Sequence, residues 1–193
     1  MTQDTSFLPS GYDIPSSGGK YMKFKQGENT FRVLSSPIVG WIDWKDNSPI
    51  RTKGDKPQPV DPERAVKHFW AMPVYNYEDN AIQILEITQS TIQGFLKALV
   101  DDADWGAPYE YDVKVTKTGE QLETKYAVTP RPKSPLSEEI KKLYETTPVN
   151  LEALYDGGDP FLDPNPTSPA NVKNALAEAF NEQNNVPIED IKF

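Results

Sequence analysis

The sequence predicts a mainly β fold: an OB-like five-stranded barrel with one helix between hairpins and a small helical appendage on its C-terminal side. Three observations predict it. Short stretches rich in β-branched and aromatic residues recur at hairpin spacing through the first 130 residues. One amphipathic segment interrupts them, with Ile92, Phe95, Leu96 and Leu99 at i, i+3, i+4 and i+7. The run Pro130-Arg131-Pro132-Lys133-Ser134-Pro135 cannot supply a ladder with donors and ends the sheet, and helix signals follow.

The most strand-like stretch, residues 66–88, organises the rest. Val66 to Tyr77 is aromatic and β-branched. Glu78, Asp79 and Asn80 supply turn chemistry, and Ala81 to Thr88 restarts the pattern with Ile82, Ile84, Leu85 and Ile87. The second arm is apolar on both faces, which places it at the centre of a sheet. A helix is expected over about 90–101, capped by Thr88, Ser90 or Thr91.

Ahead of this hairpin, Tyr21 to Lys25 alternates, with Met22 and Phe24 on one face and Tyr21, Lys23 and Lys25 on the other. Gln26 to Asn29 reads as a turn. Thr30 to Ser35, Ile38 to Trp44 and Ile50 to Lys53 read as strands, and Gly54 to Glu63 as an exposed loop. Trp41 and Trp44 are three apart, so on a strand they point to opposite faces. After the helix, Tyr109 to Thr116 and Leu122 to Thr129 form a second hairpin around Thr118-Gly119-Glu120. In its first arm Tyr109, Tyr111, Val113 and Val115 share one face. Ser137-Glu138-Glu139 opens a helix ending near Thr146. Pro169 opens a last one, with Val172, Leu176 and Phe180 as its stripe.

The expected division is a flexible segment over 1–19, a barrel over 20–135, an appendage packed on it over 136–180, and a flexible acidic tail over 181–193. An OB-type barrel carries its helix between the third and fourth strands, and the position of the helix here is compatible with that order.

The chain has 193 residues, no cysteine, 18 prolines and a net charge of −9. Absence of Cys excludes disulfides and Cys-based zinc sites. The first 21 residues lack the basic and apolar regions of a signal peptide, and no apolar run reaches the roughly 20 residues that span a bilayer. A soluble, intracellular protein is expected. The charge is uneven: residues 20–67 hold ten Lys and Arg against six Asp and Glu, whereas residues 136–193 hold four against eleven.

Enzyme signatures are missing. There is no Gly-rich phosphate loop, no G-x-S-x-G and no HExxH. With one histidine, His68, nucleophilic triads have almost no material. Asp101, Asp102 and Asp104 admit a Mg²⁺-dependent nuclease reading, and Asp156, Asp159 and Asp163 a Ca²⁺ reading. Helix-end and loop solvation account for both groups, and the second lacks EF-hand spacing. No catalytic residue, metal or cofactor is expected.

The positive signal is cations interleaved with rings. Tyr21, Lys23, Lys25, Arg32, Trp41, Trp44, Arg51, Lys53, Lys67, Trp70, Tyr75 and Lys114 are the candidates. Binding a single strand takes a basic groove for phosphates and rings on which bases stack, each worth about 1–3 kcal/mol. The same rings also suit a barrel core.

The blocks YMKFKQGENTFRVLS (21–35), PIVGWIDW (37–44), KHFWAMPVYNY (67–77), IQILEITQSTIQ (82–93) and WGAPYEYDVKV (105–115) resemble phage and prophage single-stranded DNA-binding proteins with an OB fold. The strand–turn–FRVL pattern is similar, less closely, to T4-like helix-destabilising proteins. Those carry a Cys/His zinc site that a chain without Cys does not share. The resemblance covers about residues 20–161. It implies sequence-tolerant binding of single-stranded DNA during replication, recombination or repair, in the cytoplasm of a bacterial host. The chain also ends in an acidic segment with a terminal Phe. This resembles tails through which such proteins dock replication or recombination enzymes, and it implies partner contacts for Glu189, Asp190, Ile191 and Phe193, although Lys192 departs from the pattern. The alternatives are a protein-interaction or virion-assembly module using the same rings, and an acidic DNA mimic that inhibits a nucleic-acid enzyme.

Overall fold

A computed structural model describes residues 19–161. Its strands are β1 (Tyr21–Met22), β2 (Gly27–Val33), β3 (Ile38–Lys45), β4 (Ser48–Thr52), β5 (Lys67–Asn76), β6 (Ala81–Ile87), β7 (Val113–Thr118) and β8 (Lys125–Pro130). Helix α1 (Ser90–Asp101) lies between β6 and β7. Helix α2 (Glu138–Thr146) and a 3-10 turn (Leu151–Asp156) follow the sheet. The protein is mainly β, with one mixed sheet of eight strands among the described residues.

Strand β5 is the centre. It pairs with β6 along one edge and with β2 and then β3 along the other, all antiparallel. Strand β2 continues to β7 and β7 to β8, while β4 extends β3 and β1 adds in parallel to β6. The expected closed five-stranded barrel is not formed as a continuous ladder: β1 and β8 end the strand order, and among the described residues no ladder joins them. Between β1 and β2, Asn29 is buried, accepting from the Lys25 N–H at 2.8 Å and donating to the carbonyls of Lys25, Gly27 and Val115. Side chains fill the seam instead, with the Phe24 ring 6.0 Å from that of Tyr126.

The main core lies on one face of β5 and β6, where Phe31, Val33, Met72, Val74, Leu85, Ile87, Val113 and Val115 meet Ile92 and Leu96 of α1. A smaller cluster lies on the opposite face, where Ile42, Phe69, Ala71 and Ile84 are covered by Leu154 of the 3-10 turn. Strand β6 is apolar on both faces because both are covered. At Gly40 the sheet closes tightly: a Cβ there would stand 2.4 Å from the Thr52 carbonyl oxygen and 3.1 Å from the Phe69 ring.

Several local expectations change. Strand β2 starts at Gly27, within the expected turn. Strand β7 starts at Val113 rather than Tyr109. Tyr111 is buried and donates its hydroxyl to the Gly106 carbonyl at 2.8 Å, whereas Tyr109 is exposed beside Ser36. Strand β8 follows a short 3-10 turn (Gln121–Glu123) that leaves Leu122 in solvent. None of Thr88, Ser90 and Thr91 caps α1. Gln89 holds the cap position without a side-chain bond, and the Gln93 amide reaches back to the Ile87 and His68 carbonyls. Phe95 points outward. Ser137 caps α2, accepting from the Ile140 N–H.

Candidate nucleic-acid interface

The alternation of β3 and β4 places Trp44, Pro49 and Arg51 on the face of the smaller cluster, since Trp44 is in register with Pro49 and Ile42 with Arg51. The register of Tyr21 with Ile84 puts Tyr21 on the same face from the far edge. Between them opens a cleft of about 540 Å³, lined by Tyr21, Lys23, Trp44, Arg51 and Glu86 and walled by the backbone at Gly157 and Gly158. Trp44 is 45% exposed and Tyr21 37%. Lys23 is exposed and has no ion pair among the described residues.

Arg51 spans the cleft floor. Its guanidinium lies 6.0 Å from the Phe69 ring centre, and its Nε donates to Glu86 Oε2 at 2.7 Å. The two side chains are 7% and 19% exposed. A pair this sheltered is costly to break, because either partner alone is a poorly solvated charge. Burial pushes the Tyr21 hydroxyl above its ordinary pKa, the Arg51 charge offsets part of this and the Glu86 charge adds to it, so all three groups share one environment.

The other expected site residues are dispersed. Trp41 lies on the opposite face to Trp44, as their spacing requires. Its Nε1 donates to the Gly54 carbonyl at 2.9 Å, its ring meets His68 edge-on at 5.2 Å, and the Lys56 ammonium lies 5.5 Å from it. Lys67 is exposed at the start of β5, with no ion pair among the described residues. Lys53 pairs with Glu152 and stands 4.5 Å over the Tyr155 ring. Lys25 pairs with Glu78 at 2.8 Å and Asp79 at 3.4 Å, and Lys114 with Glu28 at 2.6 Å. Bonding to Glu78 raises the Lys25 pKa, and bonding to Lys114 lowers that of Glu28. Tyr75 is half-buried, edge-on to Tyr77 at 5.1 Å.

Two expectations are corrected. Arg32 is not a groove cation: it is 1% exposed, and its donors go to Asp112, the Tyr109 carbonyl and Ser134. Trp70 packs against the main core and is not an open platform. Glu86, by contrast, was not anticipated. Its signal was a carboxylate set in a central strand whose only other polar residue is Gln83.

Among the described residues no group of three or more His, Asp or Glu could hold a metal ion. Asp102 accepts from the Asp104 and Trp105 N–H groups, Asp101 pairs with Lys97, and Asp159 pairs with Lys20. No helix among the described residues is long and apolar enough to cross a membrane. Asp163, the expected helix over 168–180 and the tail residues Glu189, Asp190, Ile191 and Phe193 lie outside the described residues. Comparison with known proteins finds no matching family, no matching curated protein and no matching solved structure.

Proposed function

We propose that the protein binds single-stranded DNA with little sequence preference, as a phage-type protein of replication, recombination or repair. The observation that carries this reading is the cleft, where two partly exposed rings, Tyr21 and Trp44, stand beside Lys23, a cation without an ion pair among the described residues, and the Arg51 guanidinium. Rings for stacking and cations for phosphate are what a single strand requires. The ladder order supports an OB-type reading opened at one seam: β2 with β3 pairs with β5, β5 with β6, α1 follows, β7 returns to β2 and β8 pairs with β7. In OB proteins the face of the second and third strands binds oligonucleotides; by this reading those strands are β5 and β6, whose outer face borders the cleft.

Lys25, Lys53 and Lys114 already have acidic partners on the surface. Exposed pairs are worth about 0–1 kcal/mol, so phosphate can replace the carboxylate at little cost. A tryptophan-fluorescence titration with oligo-dT at several salt concentrations, and with duplex of equal length, tests the reading. Quenching that weakens as salt rises, with poorer duplex binding, is expected. Absence of oligo-dT binding at low salt rejects it. In the same reading the tail from Asn181 to Phe193 serves partner enzymes: deleting it leaves oligo-dT affinity in place and abolishes capture of a replication or recombination enzyme, and unchanged capture rejects that role.

A further inference from the structure

We infer that the path of the single strand runs on from the cleft across the face of β5 and β6 that residues 147–161 cover, and that this acidic segment holds the strand's place until DNA displaces it. The inference rests on the single-strand reading and names the regulation of that same site. The covered face adjoins the cleft. Arg51 on the cleft floor lies 6.0 Å from the Phe69 ring centre, and Gly157 and Gly158 of the segment form part of the cleft wall. The segment brings to this face the groups that a single strand would bring. It carries Glu152, Asp156 and Asp159 and no Lys or Arg. Glu152 pairs with Lys53 and Asp159 with Lys20, so two carboxylates sit on cations in the manner of phosphates. Lys53 follows β4 and Lys20 precedes β1, which puts the two pairs at opposite sides of the face. Phe69 lies between them on β5, and the Tyr155 ring stands 6.1 Å from it, where a base would stack.

Side chains alone attach the segment to the sheet. Its backbone bonds close on themselves or on the end of α2: the Asn150 N–H donates to the Pro160 carbonyl at 2.7 Å and the Gly158 N–H to the Ala153 carbonyl at 2.8 Å. Among the described residues, none of its backbone bonds reaches the sheet. The Tyr155 hydroxyl donates to the Val39 carbonyl at 2.7 Å. The lysines of the two ion pairs are 59% and 58% exposed. Exposed pairs are weak, so phosphate can take over from carboxylate on either lysine. The apolar seal of Leu154 on Ile42, Phe69 and Ile84 is then exchanged for bases stacked on the uncovered Phe69 ring. Tyr21, Trp44 and Lys23 are open before the exchange and make the first contact.

The test titrates oligo-dT against three full-length chains: the wild type, a Glu152→Gln, Asp159→Asn variant, and a control, Glu138→Gln, Glu145→Gln, that removes the same number of charges from α2. The wild type is also digested with chymotrypsin with and without oligo-dT, and the fragments are assigned by mass. The segment variant is expected to bind about fivefold tighter than the wild type, with the control close to the wild type. Oligo-dT is expected to speed cleavage after Leu154 and Tyr155. Equal binding by all three chains, a gain matched by the control, or cleavage within 147–161 that oligo-dT leaves unchanged or slows overturns the displacement and leaves the single-strand reading standing. Absence of oligo-dT binding to all three chains overturns both.

Discussion

Arg32 on β2 donates from Nε to Asp112 Oδ1 at 2.6 Å, and Tyr77, directly after β5, donates its hydroxyl to the same oxygen at 2.9 Å. The remaining Arg32 donors hold the Tyr109 carbonyl and Ser134, which ties the proline-rich exit from β8 to the outer side of the sheet. Removing the arginine strands a carboxylate, and breaking a buried pair costs about 3–5 kcal/mol. Arg32→Ala is therefore expected to lower unfolding free energy by about that amount in urea, with oligo-dT affinity of the folded fraction unchanged. A folding-neutral Arg32→Ala with weakened binding would return Arg32 to the groove.

The same cluster predicts an alkaline limit. Burial, followed by the bond to Asp112, pushes the Tyr77 hydroxyl up to about 12. The folded pKa exceeds the unfolded value near 10, so the neutral form is favoured by folding. That contribution is complete below about pH 10 and is lost as pH rises towards 12. Stability measured between pH 9 and 12 should fall, and Tyr77→Phe should flatten the decline. An identical pH profile in the variant would show that Tyr77 does not cause it.

The two tryptophans of the β3–β4 hairpin should separate. Trp44→Ala is expected to weaken oligo-dT binding by about 1–3 kcal/mol with little change in stability, because the ring is 45% exposed. Trp41 holds the Gly54 carbonyl and the His68 ring, so Trp41→Ala is expected to lower stability first. Equal binding losses with equal stability would remove the distinction between the two faces.

Cations should separate as well. Lys23→Ala removes a charge with no ion pair among the described residues, and the slope of log affinity against log salt is expected to become shallower by about 0.7. Lys114→Ala also frees Glu28, so its loss is a charge removed and a repulsion exposed, and a larger fall in affinity at low salt is expected. A Lys23→Ala slope equal to wild type would place phosphate elsewhere.

The second face depends on one apolar contact. Leu154 is 1% exposed against Ile42, Phe69 and Ile84, and truncating a buried Leu costs about 2–5 kcal/mol. Leu154→Ala is expected to destabilise the protein within that range and to make the 3-10 turn sensitive to protease. Retained stability and unchanged cleavage would mean that the turn rests on its exposed ion pairs.

Local periodicity determined the strands β3, β5 and β6, the helix α1, and the opposite facing of Trp41 and Trp44, because side-chain alternation and a helical stripe are properties of neighbouring residues. The doubly apolar pattern of Ala81 to Ile87 was likewise enough to place β6 between two covered faces. Only the tertiary structure decided the rest. Arg32 became an internal tie, and Lys23 has no ion pair among the described residues, because partners far along the chain, Asp112 and Ser134, reach one of these residues and not the other. Arg51 met Glu86 beside the Phe69 ring because β4 and β6, far apart in the chain, flank the same face of the sheet. The sheet stayed open, with β1 paired to β6, β8 paired to β7 and no ladder between β1 and β8 among the described residues. Each of these outcomes depends on contacts between distant segments, and the charge or ring alone is the same whether it is buried, paired or free.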